Sequence, residues 1–592
     1  MNSNSFSQKR FFNTVFSSAL AINSVGIILP HAATASPHLK PDQPNIIIIL
    51  TDDMGFSDIG CYGGEIETPA LDGLAENGVR FSQFYNTSRC CPTRASLLTG
   101  LYPAQTGLGF MTGDEGQPGY RGEINNQCVT IAELLKPAGY RTYMTGKWHV
   151  ARNLRDIDSL KYNWPLQRGF DKFYGTITGA GSLWDPSTLT RGNEFISPFA
   201  DPEYQPKQEW YYTDAISDNA IKFIEEHQQE TADQPFFMYI SYTAPHWPLH
   251  APEDEIALHK GKYDEGYAAI REKRYKKLIE LGLIDENWPM SEQVALWDTT
   301  QHKEWHARNM EVYAAMISRM DKGVDKIVEK LKATGQLDNT LILYLHDNGG
   351  CDETLNWFNY ENEFEELPEK PVYDPMHPED LQTQVFPKQN REGYPVVLMG
   401  KKVMAGSDKT YHAYGPAWAN VSNTPFRMYK HWVHEGGIST PFIAHWPEKI
   451  TGKNEIRHQP GHLIDIMATI VDITGAEYPE EFNGHDIHPL PGKSLLKVFT
   501  EDKQIERDAI YFEHEGNRGL LQGEWKLVSK AYPQADKFRR TDEIPIDQWA
   551  LYNMIDDRTE LKDLASEYPE IVRKLVEKWQ HWAWETNTLP KP

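Results

Sequence analysis

The segment Cys90-Cys91-Pro92-Thr93-Arg94, followed by Ala95-Ser96-Leu97-Leu98 and closed by Thr99-Gly100, places a cysteine where a helix begins. Pro92 suits the first helical position, where its missing N–H costs nothing. Free N–H groups and the helix dipole favour an anion there, and Arg94 adds a fixed positive charge. Such a site suits a tetrahedral oxyanion facing a Cys90 nucleophile. The plainer alternative is a helix cap with two cysteines serving as small buried hydrophobes, or a strained vicinal disulfide.

Two oxygen-rich pairs stand apart in the chain. Asp52-Asp53 follows the apolar run Asn45–Leu50, and Asp347-Asn348 follows Leu341–Leu345. Three carboxylates and an amide oxygen are hard ligands, suited to Ca²⁺ or Mg²⁺ rather than zinc. Asp and Asn are also common in turns and at helix caps, so either pair alone is weak evidence. Lys147 and His149 sit two apart after the strand-like Arg141–Thr145, and His246 follows a strand and Pro245. Lys430 stands five residues before Glu435-Gly436-Gly437. A structural role is expected of His250, His346, His412, His431, His434 and His514.

The elements that must position these residues alternate between strand and helix. Asn45–Leu50, Phe236–Tyr242 and Leu341–Leu345 read as buried strands. Thr130-Ile131-Ala132-Glu133 has capping-box spacing, and Val312 to Leu331 marks a long amphipathic helix stopped near Gly335. This alternation predicts an α/β fold with a doubly wound sheet flanked by helices, where ligands bind beyond the carboxyl ends of the strands. From about Asp508 the texture changes to short strand-like segments (509–513, 518–522, 525–529 and 549–553) and a closing helix over 569–584. A small antiparallel α+β domain is expected there. The predicted organisation is a leader over 1–35, a catalytic α/β domain over 41–500 and the C-terminal subdomain over 505–592.

The Cys90 segment resembles, position by position, the C-x-P-[ST]-R-x4-T-G signature of the formylglycine-dependent (type I) sulfatases of the alkaline phosphatase superfamily. Gly146-Lys147-Trp148-His149 is similar to that family's G-K-W-H segment. The wording around Asn423–Arg427, Phe512–Asn517 and Leu551–Ala565 looks like bacterial arylsulfatases. The resemblance covers roughly Asn45 to Ala565 and implies a mixed, alkaline phosphatase-like sheet. It implies that a maturation enzyme oxidises Cys90 to formylglycine, whose hydrate attacks sulfate esters. One Ca²⁺ per chain would be held by Asp52, Asp53, Asp347, Asn348 and the modified Cys90. Asp347 would help poise the nucleophile. Arg94, Lys147 and Lys430 would stabilise the transferring sulfuryl oxygens. His246 would protonate the leaving group, and His149 would take the proton that releases sulfate. Two departures stand out: His346 where many relatives carry Ser or Thr, and a long segment from Glu353 to Tyr411. At the end of that segment and just beyond it, Tyr411, His412, Tyr414 and Trp418 form either a substrate wall or core.

At a formal charge of −25 over 592 residues, nucleic acid and anionic lipid are poor partners. Lys9-Arg10, the apolar stretch Phe11–Leu29 and Ala33-Thr34-Ala35 read as an export signal cut before Ser36, giving a periplasmic or secreted protein with no stable membrane anchor. The five cysteines (Cys61, Cys90, Cys91, Cys128 and Cys351) suggest no zinc site, and the four besides Cys90 are free to pair in an export compartment. The substrate would be a small-molecule or carbohydrate sulfate ester. The rivals are a formylglycine-dependent phosphonate or phosphate ester hydrolase and a non-catalytic exported glycan-binding protein. Asp347-Asn348, rather than Asp-His, weighs against the first, and the intact polar set weighs against the second.

Overall fold

Strand β1 (Asn45–Thr51) is apolar from Ile46 to Leu50 because both of its faces are buried. Its odd-numbered residues Ile47 and Ile49 enter one core with helices α2 (Tyr212–Glu230) and α3 (Lys303–Ala333). Its even-numbered residues Ile46, Ile48 and Leu50 enter another, with α1 (Cys90–Thr99) and α4 (Ile464–Thr474). The computed structural model describes residues 43–152, 158–355, 364–529 and 546–590, all within one compact unit. Residues 1–35, read from the sequence as an export leader, lie outside the described residues.

The large sheet has ten strands: β1, β2 (Val79–Phe81), β3 (Arg141–Lys147), β4 (Lys172–Thr176), β5 (Leu189–Arg191), β6 (Glu194–Phe195), β7 (Phe236–Ser241), β8 (Thr340–His346), β9 (Phe442–His445) and β10 (Glu455–Arg457). Their spatial order is β10-β2-β9-β8-β1-β7-β3-β4-β5-β6. The centre, from β8 through β1, β7 and β3 to β4, is parallel, with Ile48 facing Tyr239 on one side and Leu343 on the other. Strand β9 runs antiparallel to β8, and β5 and β6 close the far edge antiparallel, so the sheet is mixed and doubly wound, as the alternation predicts. Helix α3 carries the expected buried stripe and ends before Gly335, whose φ of 70° suits the left-handed turn that follows. The Thr130–Glu133 capping box is formed in both directions.

A second sheet, β11 (Ile510–His514), β12 (Asn517–Gln522), β13 (Trp525–Ser529) and β14 (Trp549–Asn553), is antiparallel in chain order. One face packs on α5 (Pro569–Glu585) through Leu520, Leu527, Trp549 and Trp579. The other face presses Phe512, Val528 and Tyr552 onto Val433 and Ile438, just after Lys430. A fully buried ionic cluster joins the two: Lys526 Nζ lies 2.7 Å from both Glu435 and Glu560, and Arg558 Nε lies 2.8 Å from Glu435. Lys526→Met would leave two buried carboxylates sharing one cation. Chemical denaturation should show a loss of about 3–5 kcal/mol. A loss under about 1 kcal/mol would mean the cluster does not hold this junction.

Candidate active site

Every predicted polar residue reaches one end of the parallel strands. Asp52 and Asp53 follow β1, Asp347 and Asn348 follow the adjacent β8, Lys147 ends β3 with His149 beyond it, and His246 follows β7. This is the carboxyl edge, where an open α/β sheet leaves a crevice. Helix α1 points its N-terminus there and begins at Cys90 itself, two residues earlier than the placement of Pro92 at its first position implied. Pro92 is still accommodated, because first-turn N–H groups have no intrahelical acceptor. Lys430 arrives from the loop that the C-terminal sheet braces.

The carboxylates are paired with cations. Lys147 Nζ is 2.5 Å from Asp52 Oδ2. Arg94, fully buried, donates to Asp347 Oδ2 at 2.7 Å and lies 3.5 Å from Asp52. It also donates to Ser241 Oγ and, at 3.1 Å, to the Lys147 carbonyl. Lys430 Nζ is 2.7 Å from Asp53 Oδ1, and Asn348 Nδ2 donates to that oxygen at 2.8 Å. Burial and the neighbouring Asp347 carboxylate push Asp52 well above the usual carboxylate range, against Lys147 and Arg94. Burial works the same way on Asp53, yet His246, Lys430 and the Asn348 hydrogen bond hold it below that range.

His149 and His246 both line the same opening. His246 Nδ1 lies 2.6 Å from the Trp247 carbonyl, which can only accept, so Nδ1 carries the proton. Its Nε2 is left 3.4 Å from Asp53 Oδ2. Burial takes His246 down to about 3 and His149 to about 4, so both rest neutral. His149 holds a left-handed backbone (φ 55°), and its ring occupies the space a side chain at residue 179 would need: a Cβ on Gly179 would fall 2.0 Å from it. Cys90 and Cys91 differ sharply. A hydrogen bond from the Cys91 thiol, with Lys147 and His149 beside it, takes Cys90 well below the usual thiol range despite burial. Burial drives Cys91 well above it.

The site fits a hard cation. Asp52 Oδ1 and Asn348 Oδ1 are buried and make no hydrogen bond, although both are acceptors in a cluster of three carboxylates. Buried acceptors are normally satisfied, so these two mark a missing partner of positive charge. Asp52, Asp53, Asp347 and Asn348 offer oxygen only, which favours Ca²⁺ or Mg²⁺, with His246 Nε2 a ligand nitrogen beside them, 3.4 Å from Asp53.

Next to this cluster lies a cleft of about 330 Å³ whose lining includes Cys90, His149, His246 and Lys430. The Sulfatase family description matches residues 44–476, and the description "N-sulphoglucosamine sulphohydrolase, C-terminal" matches residues 426–584. The chain belongs to the sulfatase family. It is similar to an uncharacterized sulfatase of Schizosaccharomyces pombe, with 31% identity over 93% of this chain and 95% of that protein. It is also similar to an arylsulfatase of Klebsiella aerogenes, with 32% identity over 80% of this chain and 95% of that one. A crystal structure of Ps i-CgsB in complex with k-i-k-neocarrahexaose shares the fold, with a TM-score of 0.58 at 22% identity, covering 93% of this chain and 98% of that one. The protein is therefore a type I sulfatase of the alkaline phosphatase-like superfamily, an enzyme of sulfate-ester hydrolysis.

Other sequence expectations resolve in detail. All five cysteines are unpaired and buried, so the four besides Cys90 form no disulfide. His346, the departure from the family pattern, is a buried structural residue: Nδ1 lies 3.1 Å from the Met54 carbonyl and Nε2 3.0 Å from the Tyr344 hydroxyl. Tyr411, His412, Tyr414 and Trp418 are core, and none lines the cleft. Trp418 packs edge-on against Tyr267, and Tyr414 stacks on Tyr313. Tyr411 only backs the wall, behind Phe386 and Trp247. The wall residues that sequence reasoning passed over are Arg89, Trp247, Glu353, Val385 and Phe386. Arg89 and Trp247 are immediate neighbours of Cys90 and His246, which was the available signal. Val385 and Phe386 carried none.

Proposed function

We propose that this sulfatase works through formylglycine made from Cys90 and a single bound Ca²⁺, and that it is exported, without a stable membrane anchor, after cleavage near Ala35. The observation that carries this reading is Cys90 at the head of α1, facing His149, His246 and Lys430 above a carboxylate cluster with two unpartnered acceptors. Asp52, Asp53, Asp347 and Asn348 would hold the cation beside residue 90. Bound there, it would supply Lewis-acid polarisation and charge for the sulfate oxygens, and the aldehyde hydrate would supply an oxygen nucleophile.

The chain's own residues do the rest. Lys147 and Lys430 bring positive charge to the sulfuryl oxygens from fixed positions, so little reorganisation is needed as charge develops. Arg94 ties Asp347 to Asp52 and fixes the carboxylate that orients the nucleophile. His246, its Nδ1–H held by the Trp247 carbonyl, presents Nε2 to the leaving oxygen. An arriving sulfate anion favours its protonated form, as any nearby negative charge does. His149, neutral at rest, takes the proton that releases sulfate. The substrate is a small-molecule or carbohydrate sulfate ester.

Exhaustive chelation should abolish turnover of 4-nitrophenyl sulfate, with Ca²⁺ restoring it and zinc unnecessary. Full activity in protein shown to be metal-free by elemental analysis would exclude the cation.

A further inference from the structure

His514 ends β11 and is fully buried, yet neither of its ring nitrogens makes a hydrogen bond among the described residues. A neutral imidazole carries one donor and one acceptor, and buried polar groups are normally satisfied. One neighbour of the ring is Phe110, stacked with centroids 5.9 Å apart at 24°. The others are His431, at 6.2 Å between centroids, and the Glu515 carboxylate, whose Oε1 lies 3.7 Å from His514 Nε2. His431 Nδ1 lies 3.0 Å from the second oxygen of Glu515, and one ligand atom from each of the three residues falls within 4.8 Å of the others. His431 (φ 79°) and Glu515 (φ 52°) both hold left-handed backbones, which cost energy for residues with a side chain.

The charge at this place is unbalanced. Glu353 and Glu515 both reach His431, at 3.2 and 3.0 Å, and the cation beside them is Arg89. Arg89 Nη1 donates to Glu353 Oε1 at 3.2 Å and lies against the His431 ring, while Lys430 is taken by Asp53 at 2.7 Å. Against burial and the Arg89 charge, hydrogen bonds with Glu353 and Glu515 hold His431 above its ordinary value, so the spot attracts positive charge. A proton on His431 would supply that charge and leave His514 without a partner. One metal ion answers both needs. Two imidazoles and a carboxylate are the donors of a zinc site. Ligand atoms around a tetrahedral zinc stand about 3.3 Å apart, against 3.0 and 3.7 Å from Glu515 to the two rings.

We propose that His431, His514 and Glu515 form a structural Zn²⁺ site that staples the first hairpin of the C-terminal sheet to the loop carrying Lys430. The ligands are His431 Nδ1, His514 Nε2 and a Glu515 oxygen, with water completing the shell. Glu353 is a positioning residue: by accepting from His431 Nε2 it fixes the tautomer that turns Nδ1 to the ion, as carboxylates behind metal-bound imidazoles do. Arg89 then donates to Glu353 alone. This ion is separate from the cation assigned to Asp52, Asp53, Asp347 and Asn348, and turnover under Ca²⁺ does not require it. It firms the C-terminal junction, because an ion bound only by the folded chain adds to its stability.

The test uses the full chain, stripped by a chelator and resaturated with Ca²⁺ so that the oxygen site is filled. Co²⁺ is the probe, since tetrahedral cobalt absorbs strongly in the visible, and Zn²⁺ should displace it one for one. The wild type should take up one Co²⁺ with that spectrum. His514→Ala and Glu515→Gln should each weaken binding by at least about tenfold, since loss of even an outer-shell partner costs about that much. His246→Ala, which alters only the cleft, should keep the spectrum. Zn²⁺ should raise the Tm of the wild type with rising concentration and leave that of His514→Ala unmoved. Equal Co²⁺ binding by the wild type and His514→Ala overturns the site. Should the variants not fold, the wild type decides alone: no tetrahedral Co²⁺ spectrum and no response of Tm to Zn²⁺ mean that His431 holds a proton instead, and the proposal falls. His514 lies outside the cleft, so that failure leaves the hydrolytic reading untouched.

Discussion

Cys90→Ala is expected to abolish sulfate release, by at least about 10⁴-fold, as loss of a catalytic nucleophile does. Cys91→Ala should cost less than about tenfold. The two thiols are adjacent in sequence but not in environment. Cys90 lines the cleft and is pulled well below the usual thiol range by Cys91, Lys147 and His149. Cys91 is fully buried, and burial holds its thiol protonated. Only Cys90 stands in the right register to Pro92 and Arg94. Peptide mass spectrometry on protein made with the maturation enzyme should find an aldehyde at position 90 and an unmodified thiol at 91. A fully active preparation with both thiols intact would remove formylglycine from the mechanism.

The second large effect separates the two histidines. His246→Ala should lower kcat/KM on an alkyl or sugar sulfate by about 10²–10⁴, the usual range for general acid catalysis. On an activated nitrophenyl sulfate the loss should be far smaller, because a good leaving group departs without a proton. His149→Ala should slow both substrates, since it acts after the leaving group has gone. The geometry supports this division. His246 has its Nδ1–H tied to the Trp247 carbonyl and presents only Nε2, beside the aromatic wall where a leaving group would lie. His149 stands beside Cys90, its ring seated over Gly179. Equal losses for His246→Ala on poor and activated esters would refute the assignment while leaving the family membership untouched.

Much of this architecture was legible in the chain. β1, β7 and β8 are unbroken apolar runs because both faces of each are covered, so burial itself wrote the pattern. The C-terminal strands appear within a residue or two of their expected places, since an antiparallel sheet covered on both faces by different partners still needs turn residues at each reversal. Tyr411, His412, Tyr414 and Trp418 were ambiguous because aromatic residues serve core and binding wall alike. Composition cannot tell which face a ring turns toward.

What the sequence determined by itself was the chemistry: a cysteine at a helix start, oxygen donors at two strand ends, and cations and histidines in register with them. These are local relations, set by spacings of a few residues and by the obligatory exit of a parallel strand at its carboxyl end. The tertiary structure alone decided which distant residues meet. Trp247, Glu353 and Phe386 come from separate parts of the chain and share no spacing rule, yet they build one wall. Lys430 reaches Asp53 across 377 residues, with the C-terminal sheet packed behind its loop. Likewise, the unpartnered oxygens of Asp52 and Asn348 exist only once β1 and β8 lie side by side and exclude water. Such long-range meetings depend on packing many side chains at once, and no local sequence pattern encodes them.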